Sequence, residues 1–149
     1  MRPIAAALAL LLAANTPLLQ AAPPAFQPMD VFALQWADHP VLSPDGKQIV
    51  YERGFFDTMK DQRRSNLWLI DVASGAQRPL TTGAVRDGQA AWSPDGRRIA
   101  YVGMDGDKAQ VFVRWVASGE TARLTQLQQG PGNLAWSPDG RWIAFTQFV

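Results

Sequence analysis

The chain has 149 residues, of which 47% are hydrophobic and 18% are charged, and its formal net charge is +1. This composition is typical of a globular domain and excludes a disordered acidic or basic tail. Arg2 is one of 14 basic residues, and without it 13 basic and 13 acidic side chains balance. The charge pattern therefore predicts neither a nucleic-acid partner nor an anionic membrane surface as partner.

Residues 1–22 have the pattern of a secretory signal. A short basic start, Met1-Arg2, precedes an unbroken apolar run of 11 residues from Ile4 to Ala14. Pro17 to Ala22 then form a small, polar exit with cleavage expected at its end. The apolar run is too short to span a bilayer, although a buried N-terminal helix or an uncleaved anchor is the alternative. We predict export, to the periplasm or the outside of a bacterial cell, with no membrane contact after cleavage.

The cysteine and histidine counts limit the available chemistry. The chain has no cysteine, which excludes disulfides, thiolate metal ligands and cysteine nucleophiles. Most zinc sites and acid-base relays need at least one imidazole, and the single histidine, His39, stands beside Pro40 where a strand is about to begin. We interpret His39 as an ordinary loop residue without a positioned partner. The sequence accordingly predicts no cofactor and no metal site.

The most informative feature is an internal repeat. A shift of 44 residues places Leu67–Ala100 over Val111–Ala144 without a gap, and 16 of the 34 aligned positions are identical. The shared motif Ala-Trp-Ser-Pro-Asp-Gly-Arg begins at Ala91 and again at Ala135. An earlier copy, Val-Leu-Ser-Pro-Asp-Gly-Lys, begins at Val41, which is 50 residues before the second because six residues are inserted after Tyr51.

Each period contains the signals of four antiparallel strands. In Ser-Pro-Asp-Gly, proline fixes φ, aspartate can bond the following backbone, and glycine accepts a positive φ, so the motif predicts a tight turn between strands. Four strands in roughly 40 to 50 residues are the unit of a β-propeller blade. The predicted strands of the second copy are Gln89–Ser93, Arg98–Val102, Gln110–Val116 and Thr121–Thr125. The aromatic residues predicted to pack between neighbouring blades are Trp68, Trp92, Phe112 and Trp136.

The predicted architecture is all-β, a partial β-propeller of four-stranded antiparallel blades, about two and a half in number. A signal peptide occupies residues 1–22, and a linker with one short helix, Asp30 to Ala37, occupies residues 23–38. The incomplete propeller occupies residues 39–149. Its predicted parts are blade one at 39–82, blade two at 89–126 and the start of blade three at 133–149.

Two sets of residues resemble catalytic or metal-binding motifs. Ser43, Ser93 and Ser137 each precede Pro-Asp-Gly, but no histidine occupies a matching position, so we predict turns rather than nucleophiles. The segment Asp105-Gly106-Asp107 could suggest a calcium loop. It lacks the further acidic ligands and the closing glutamate of such a loop, which favours a hairpin tip. The Gly-x-Ser-x-Gly elbow of α/β-hydrolases is absent from the chain.

The segment Gly54 to Arg64 interrupts the repeat. It places Phe55, Phe56 and Met59 among charged side chains, in a connection several residues longer than its counterpart in blade two. Long connections on a rigid scaffold often carry binding groups. A surface loop whose aromatic side chains cap the first blade is the alternative.

Five motifs belong to a similarity that extends over nearly all of the mature chain: Met29 to Ala37, His39 to Lys47, Ile49 to Tyr51, Arg63 to Trp68, and Arg78 to Thr81. Together they resemble the start of exported bacterial members of the prolyl oligopeptidase family of serine peptidases. The resemblance is nearest to the acylaminoacyl-peptidase and dipeptidyl-peptidase-like branch. The Ser-Pro-Asp-Gly repeat alone is less specific, because it is also similar to the propellers of Tol-type translocation proteins and tricorn-like proteases.

The resemblance implies a two-domain enzyme. In this family an N-terminal propeller covers an α/β-hydrolase domain with a serine, aspartate and histidine triad, and restricts access to short peptides. The chain ends at Val149 within the third blade, so no catalytic residue of the family can be assigned to a position in it. The acidic pair and the arginine that bind substrate in the propellers of this family also have no matching position here. We expect a non-catalytic portion, inactive alone, with unidentified substrate-binding residues and with peptide substrate as its partner through a hydrolase domain absent from this chain.

Two other function classes stay open. A Tol-type binding propeller usually has an α/β domain between the signal and the first blade, and the segment Asp30 to Ala37 is too short for one. A free-standing propeller that binds a ligand or a protein needs no hydrolase domain. The codons that follow Val149 would decide between these classes. Gly-x-Ser-x-Gly followed by aspartate and histidine would favour the peptidase, and further blades up to a stop codon would favour a binding module.

Overall fold

The computed structural model describes residues 25–148, and the predicted signal at 1–22 lies outside them. The described part begins with a 3-10 helix, Pro28–Ala33, and continues in strands alone. The strands are β1 (Trp36–Leu42), β2 (Gln48–Asp57), β3 (Gln62–Asp71), β4 (Gln77–Pro79), β5 (Gly88–Trp92), β6 (Arg98–Asp105), β7 (Lys108–Trp115), β8 (Thr121–Arg123), β9 (Pro131–Trp136) and β10 (Ile143–Gln147).

The strands form three antiparallel sheets in chain order. Two sheets have four strands, β1 to β4 and β5 to β8, and the third pairs β9 with β10. The predicted all-β class and the count of four, four and two strands are therefore confirmed. The first strands of the sheets contact one another in series, β1 against β5 and β5 against β9. They line the inner, concave side of an arc of blades, as the innermost strands of a propeller do.

The Ser-Pro-Asp-Gly turn has the same hydrogen bonds in all three blades. In blade two, Ser93 is fully buried and its hydroxyl donates to Asp95 Oδ1 at 2.5 Å while accepting the Arg98 N–H at 2.9 Å. Ser43 and Ser137 do the same in their own blades. The serine hydroxyl and a backbone N–H lower the pKa of each turn aspartate, Asp45, Asp95 and Asp139. The prediction that these serines form turns is confirmed.

A tryptophan at the end of each later inner strand joins one blade to the next. The Trp92 indole N–H donates to the Val41 carbonyl at 3.1 Å, and the Trp136 indole donates to the Ala91 carbonyl at 3.0 Å. The main core lies at the first joint, where Val50, Leu67, Leu69 and Leu80 of blade one meet Trp92, Ile99 and Tyr101 of blade two. Burial of each such side chain contributes about 1.5 to 3 kcal/mol. The predicted packing of Trp92 and Trp136 between blades is confirmed.

The predicted helix over Asp30 to Ala37 is wrong in position and type. The structure has a six-residue 3-10 helix that ends at Ala33, and Trp36 already pairs with Gly54 in the sheet. The spacing of Phe32 and Trp36 suggested one helical face, but the Trp36 ring packs against the bare Cα of Gly54. Blade one therefore begins at Trp36 rather than at residue 39.

The interpretation of Gly54 to Arg64 as a long loop is also wrong. Strands β2 and β3 pair without interruption from Gln48 and Asp71 to Asp57 and Gln62, so the inserted residues lengthen a hairpin. Phe56 lies 5.2 Å from the Trp36 ring, and the Arg63 guanidinium lies within 6 Å of both rings. Phe56 thus packs on blade one, as the capping alternative expected, but from a strand rather than from a loop.

The face of the arc that ends in blade three is apolar and open. A groove of about 390 Å³ runs between blade two and β10, lined mainly by Val111, Val113, Leu124, Trp136, Ile143 and Phe145. On its margin, the Trp142 side chain is 72% exposed. Within the described residues β10 pairs with β9 alone, so its other edge is free. Free edges beside apolar surface are sites of association between chains.

We expect the purified chain to self-associate through this open face at micromolar concentration. Replacing Trp142 and Phe145 together by lysine should shift the species to monomer, because two charges would have to be buried in the contact. Light scattering over a concentration series measures the change. Met59→Lys is the matched control, since Met59 is 92% exposed in the β2–β3 turn. Equal association by all three proteins would exclude the open face as the cause.

Candidate functional site

A pocket with both polar and apolar lining lies on the concave side of the arc, where the three inner strands converge. Its volume is about 810 Å³, and every blade contributes to its wall. We name it the axial pocket. Its polar and glycine lining includes His39, Glu52 and Ser65 of blade one, Arg86, Gly88 and Gln89 at the start of blade two, and Gly132, Asn133 and Thr146 of blade three.

Each inner strand bends at the pocket through a bulge. The register with the neighbouring strand shifts between Asp38 and Val41 in blade one and between Gly88 and Ala91 in blade two, with a similar shift in blade three. Each bulge contains one non-glycine residue with positive φ: His39 at 47°, Gln89 at 53° and Asn133 at 53°. A bulge redirects the side chain that it contains. The three blades thus present equivalent polar residues to the same pocket.

A series of hydrogen bonds joins the bulges from blade to blade. The Glu52 carboxylate accepts the Gln89 N–H at 2.7 Å, and the Gln89 side-chain oxygen accepts the Asn133 N–H at 2.9 Å. The backbone N–H groups that the bulges take out of the strand ladder are satisfied in this way. Glu52 also lies 3.5 Å from His39 Nδ1, and its side chain is only 16% exposed. The wall of the axial pocket is therefore held in place by side chains of the preceding blade.

The connection into blade two is held close to Glu52. A Cβ atom on Gly88 would lie 2.8 Å from Glu52 Oε1, whereas at the equivalent Gly132 the nearest atom, Gln89 Oε1, is 3.5 Å away. Ser65 of β3 fixes the same connection, because its hydroxyl donates to the Asp87 carbonyl at 2.8 Å and its carbonyl accepts the Asp87 N–H at 3.0 Å. Only glycine fits at position 88 while Glu52 keeps its bond to Gln89.

Asp87 is a buried carboxyl group directly behind the pocket wall. Its residue is 7% exposed, and burial raises its pKa above the usual 3.8, against hydrogen bonds from the Thr81 hydroxyl and the Met104 backbone that favour the ionised form. Burial, and then the proximity of Asp87, raise the pKa of Tyr101 to about 12. Neither Asp87 nor Tyr101 lines the axial pocket, so both side chains stabilise its wall from behind.

His39 was predicted to be a loop residue without a partner, and both parts of that prediction are wrong. The residue lies within β1, and its Nδ1 atom is 3.4 Å from Asp38 Oδ1 as well as near Glu52. Pro40 does not end the strand here, because it occupies the bulge. The segment Asp105-Gly106-Asp107 does form the predicted hairpin tip, between β6 and β7, and Arg123 binds Asp105 there.

Sequence reasoning missed the axial pocket, although the repeat contained a signal for it. The alignment of the three copies places His39, Gln89 and Asn133 in one column, three residues before the residue that ends each inner strand. Polar residues at the same position of three repeated strands indicate a shared polar surface. Glu52 had no such signal, because blade two has Val102 at the equivalent position.

The arrangement can bind a ligand by hydrogen bonds and contains no activated nucleophile. The two hydroxyls of the lining, Ser65 and Thr146, donate to the main-chain carbonyls of Asp87 and Gly132 rather than to a base. Within residues 25–148 no three side chains of His, Cys, Asp or Glu are grouped so as to hold a metal ion. No helix in the described part has the length and apolar character to cross a bilayer.

The comparison with family models agrees with this architecture. The model of the TolB beta propeller domain matches residues 34–148. The chain belongs to the TolB beta propeller domain family. The chain is also similar to the uncharacterized peptidase YuxL of Bacillus subtilis. The two are 34% identical over 85 residues, which are 56% of this chain and 13% of YuxL.

Two solved structures have the same fold. The putative TolB of Agrobacterium tumefaciens superimposes with a TM-score of 0.60 at 23% identity, over 77% of this chain and 39% of that one. The acylaminoacyl peptidase of Pyrococcus horikoshii superimposes with a TM-score of 0.62 at 13% identity, over 75% of this chain and 17% of the peptidase. The chain thus spans a minor part of the length of each relative, and these identities establish the fold alone.

Substitution of the two equivalent glycines tests the geometry of the pocket wall. Gly88→Ala should lower the free energy of unfolding by about 1 to 3 kcal/mol, because the new methyl group displaces a hydrogen-bonded carboxylate. Gly132→Ala is the matched control and should change stability by about 0.5 kcal/mol or less. Urea melts in dilute solution measure both. Glu52→Ala in the Gly88→Ala background should add little further loss; full additivity would contradict the contact.

Asp87 should give the chain an unusual pH dependence. Its carboxyl group keeps a proton in the folded state at pH values where the unfolded chain has released it. The stabilising contribution is complete below the unfolded pKa of 3.8 and is lost as the pH rises through the raised pKa. Asp87→Asn should therefore gain stability relative to wild type as the pH rises from about 4 to 7.

Asp95→Asn is the control for this pH dependence and should behave in the opposite sense. The pKa of Asp95 is lowered, so its contribution is present above the usual value of 3.8 and is lost as the pH falls. Thermal melts between pH 3 and 7 compare the two variants with wild type. Parallel pH profiles for Asp87→Asn and wild type would show that Asp87 ionises normally in the folded chain.

Proposed function

We propose that this chain is the non-catalytic propeller portion of an exported serine peptidase of the prolyl oligopeptidase family. In this proposal the axial pocket binds or admits short peptides for a hydrolase domain that is absent from the chain. The observation that carries the proposal is the pocket, which is open and combines apolar surface with hydrogen-bonding side chains from all three blades. Its hydroxyls are bound to main-chain carbonyls, which fits a binding surface better than a catalytic one.

The similar proteins support a peptidase context. YuxL is named a peptidase, and the Pyrococcus horikoshii protein is an acylaminoacyl peptidase. The resemblance of Met29 to Ala37 and of His39 to Lys47 to the start of this peptidase family points the same way. The axial pocket, at about 810 Å³, is large enough for a peptide of a few residues, since ligand pockets commonly measure about 300 to 1,000 Å³.

A second candidate is a Tol-type or free-standing propeller that acts as a binding module. The observation in its favour is the match of residues 34–148 to the TolB beta propeller domain, together with the likeness to the Agrobacterium TolB. Such a module would use the same concave surface without any hydrolase domain. The two candidates therefore differ in the ligand, a short peptide or a folded protein, rather than in the fold.

We also propose that the protein is exported. The support is the sequence of residues 1–22, with its basic start, its apolar run of 11 residues and its small, polar exit. The absence of cysteine leaves the destination open, since exported bacterial proteins often lack disulfides.

The test is binding without hydrolysis. We expect peptides of two to four residues to shift the backbone amide signals of His39, Gln89 and Asn133 saturably in an NMR titration, and to remain intact. A fluorophosphonate probe should label neither Ser43, Ser93 nor Ser137, because each hydroxyl is bound within its turn.

A variant at the far end of blade three serves as control. Arg141→Ala alters an exposed residue of the last Ser-Pro-Asp-Gly turn and should leave peptide binding unchanged. Peptide cleavage or stoichiometric labelling of a turn serine would overturn the non-catalytic assignment. A titration without shifts at the axial pocket would instead favour the protein-binding candidate.

A further inference from the structure

Three equivalent bulge residues adopt a backbone conformation that glycine adopts more readily. Positive φ costs a non-glycine residue of order 1 kcal/mol or more, and glycine would remove that cost. Positions 39, 89 and 133 nevertheless carry histidine, glutamine and asparagine. Glutamine is not among the residues that tolerate this region most easily. The side chains at these positions must therefore contribute something that glycine cannot, and their contacts show what it is.

The orientation of the Gln89 carboxamide is fixed by its protein contact. The Asn133 backbone N–H is a donor and lies 2.9 Å from the end of this side chain, so that end must be Oε1. The Nε2 group then has no protein acceptor within the described residues. Gln89 is exposed and lines the axial pocket. Its two N–H donors are therefore free for a ligand.

The Asn133 carboxamide is fixed by similar reasoning. The Thr146 hydroxyl donates its single proton to the Gly132 carbonyl at 3.1 Å, so toward Asn133 it can only accept. In this arrangement Asn133 Nδ2 donates to the Thr146 hydroxyl at 2.9 Å, and Oδ1 has no donor within residues 25–148. Blade two therefore supplies a free amide donor to the pocket, and blade three supplies a free amide acceptor.

We propose that Gln89 Nε2 and Asn133 Oδ1 together bind the main chain of a peptide in the axial pocket, the first donating to a peptide carbonyl and the second accepting a peptide N–H. This inference rests on the proposed function, in which the pocket takes peptides. Both groups are uncharged, and the one carboxylate behind them, Glu52, is bound to the Gln89 N–H. Recognition by these two groups is then of the peptide backbone, independent of the sequence of the peptide.

The test uses the 149-residue chain and N-acetyl-triglycine amide, a probe without side chains or charges. We expect saturable shifts of the Gln89 and Asn133 side-chain amide signals in NMR titrations. An analogue whose central N–H is replaced by an ester oxygen should bind at least threefold more weakly, because it lacks the donor for Asn133. Maltotriose, which offers hydroxyl groups instead of peptide groups, should not bind.

Gln89→Glu is the decisive variant. The carboxylate keeps an oxygen for the Asn133 N–H but loses the Nε2 donor, so triglycine binding should fall at least tenfold. Gln48→Glu adds the same charge at the opposite end of blade one and should bind normally. Unchanged indole N–H signals of Trp92 and Trp136 show that the blade joints of each variant are intact.

The outcomes separate this inference from the proposed function. If peptides with side chains bind in the pocket but triglycine does not, or if the ester and Gln89→Glu have no effect, the backbone mode is wrong and the peptide-binding function stands. If no peptide binds, the function fails and the inference fails with it. Binding of maltotriose in place of peptide, with the same dependence on Gln89, would overturn the assignment of peptide as the ligand.

Discussion

The indole hydrogen bond between blades is the interaction on which the rest of the structure depends. A four-stranded blade buries little by itself, and the largest cluster of buried side chains lies between blades one and two. Trp92 fills that space and also ties its N–H to the inner strand of blade one, so packing and register are fixed together. The repetition of this bond by Trp136 sets the angle at which blade three follows. Only with those angles fixed do three inner strands converge on one pocket.

The axial pocket shows how a repeat can build an asymmetric site. The bulge at residues 39, 89 and 133 is common to the blades, and it removes one backbone N–H from each ladder. The group that satisfies this N–H differs each time: Asp38 for His39, Glu52 for Gln89, and Gln89 for Asn133. The scaffold repeats while the side chains at its inner edge vary, which is how binding specificity is usually placed on a propeller.

The parts of the fold that depend on local chemistry could be predicted from sequence. The Ser-Pro-Asp-Gly turns and the number of strands follow from residues within a few positions of one another, as the bonds between Ser93 and Asp95 illustrate. The contact of Glu52 with Gln89 spans 37 residues and two blades, so no local pattern indicates it. Two further errors have the same origin. Trp36 was expected in a helix but pairs with Gly54 of β2. His39 was expected to have no partner but lies beside Glu52, which is adjacent to it only in the folded sheet.

The six residues inserted into blade one give the arc an uneven height. Counted from the equivalent residues of blade two, β2 continues two positions further, to Asp57, which adds about 7 Å at about 3.3 Å per residue. The turn beyond it has four residues instead of two. Because Trp36, the first residue of β1, pairs with Gly54 and β2 continues to Asp57, the hairpin extends past that end of β1. Blade one therefore stands higher than blade two on the side of the sheet where Glu52 lines the axial pocket.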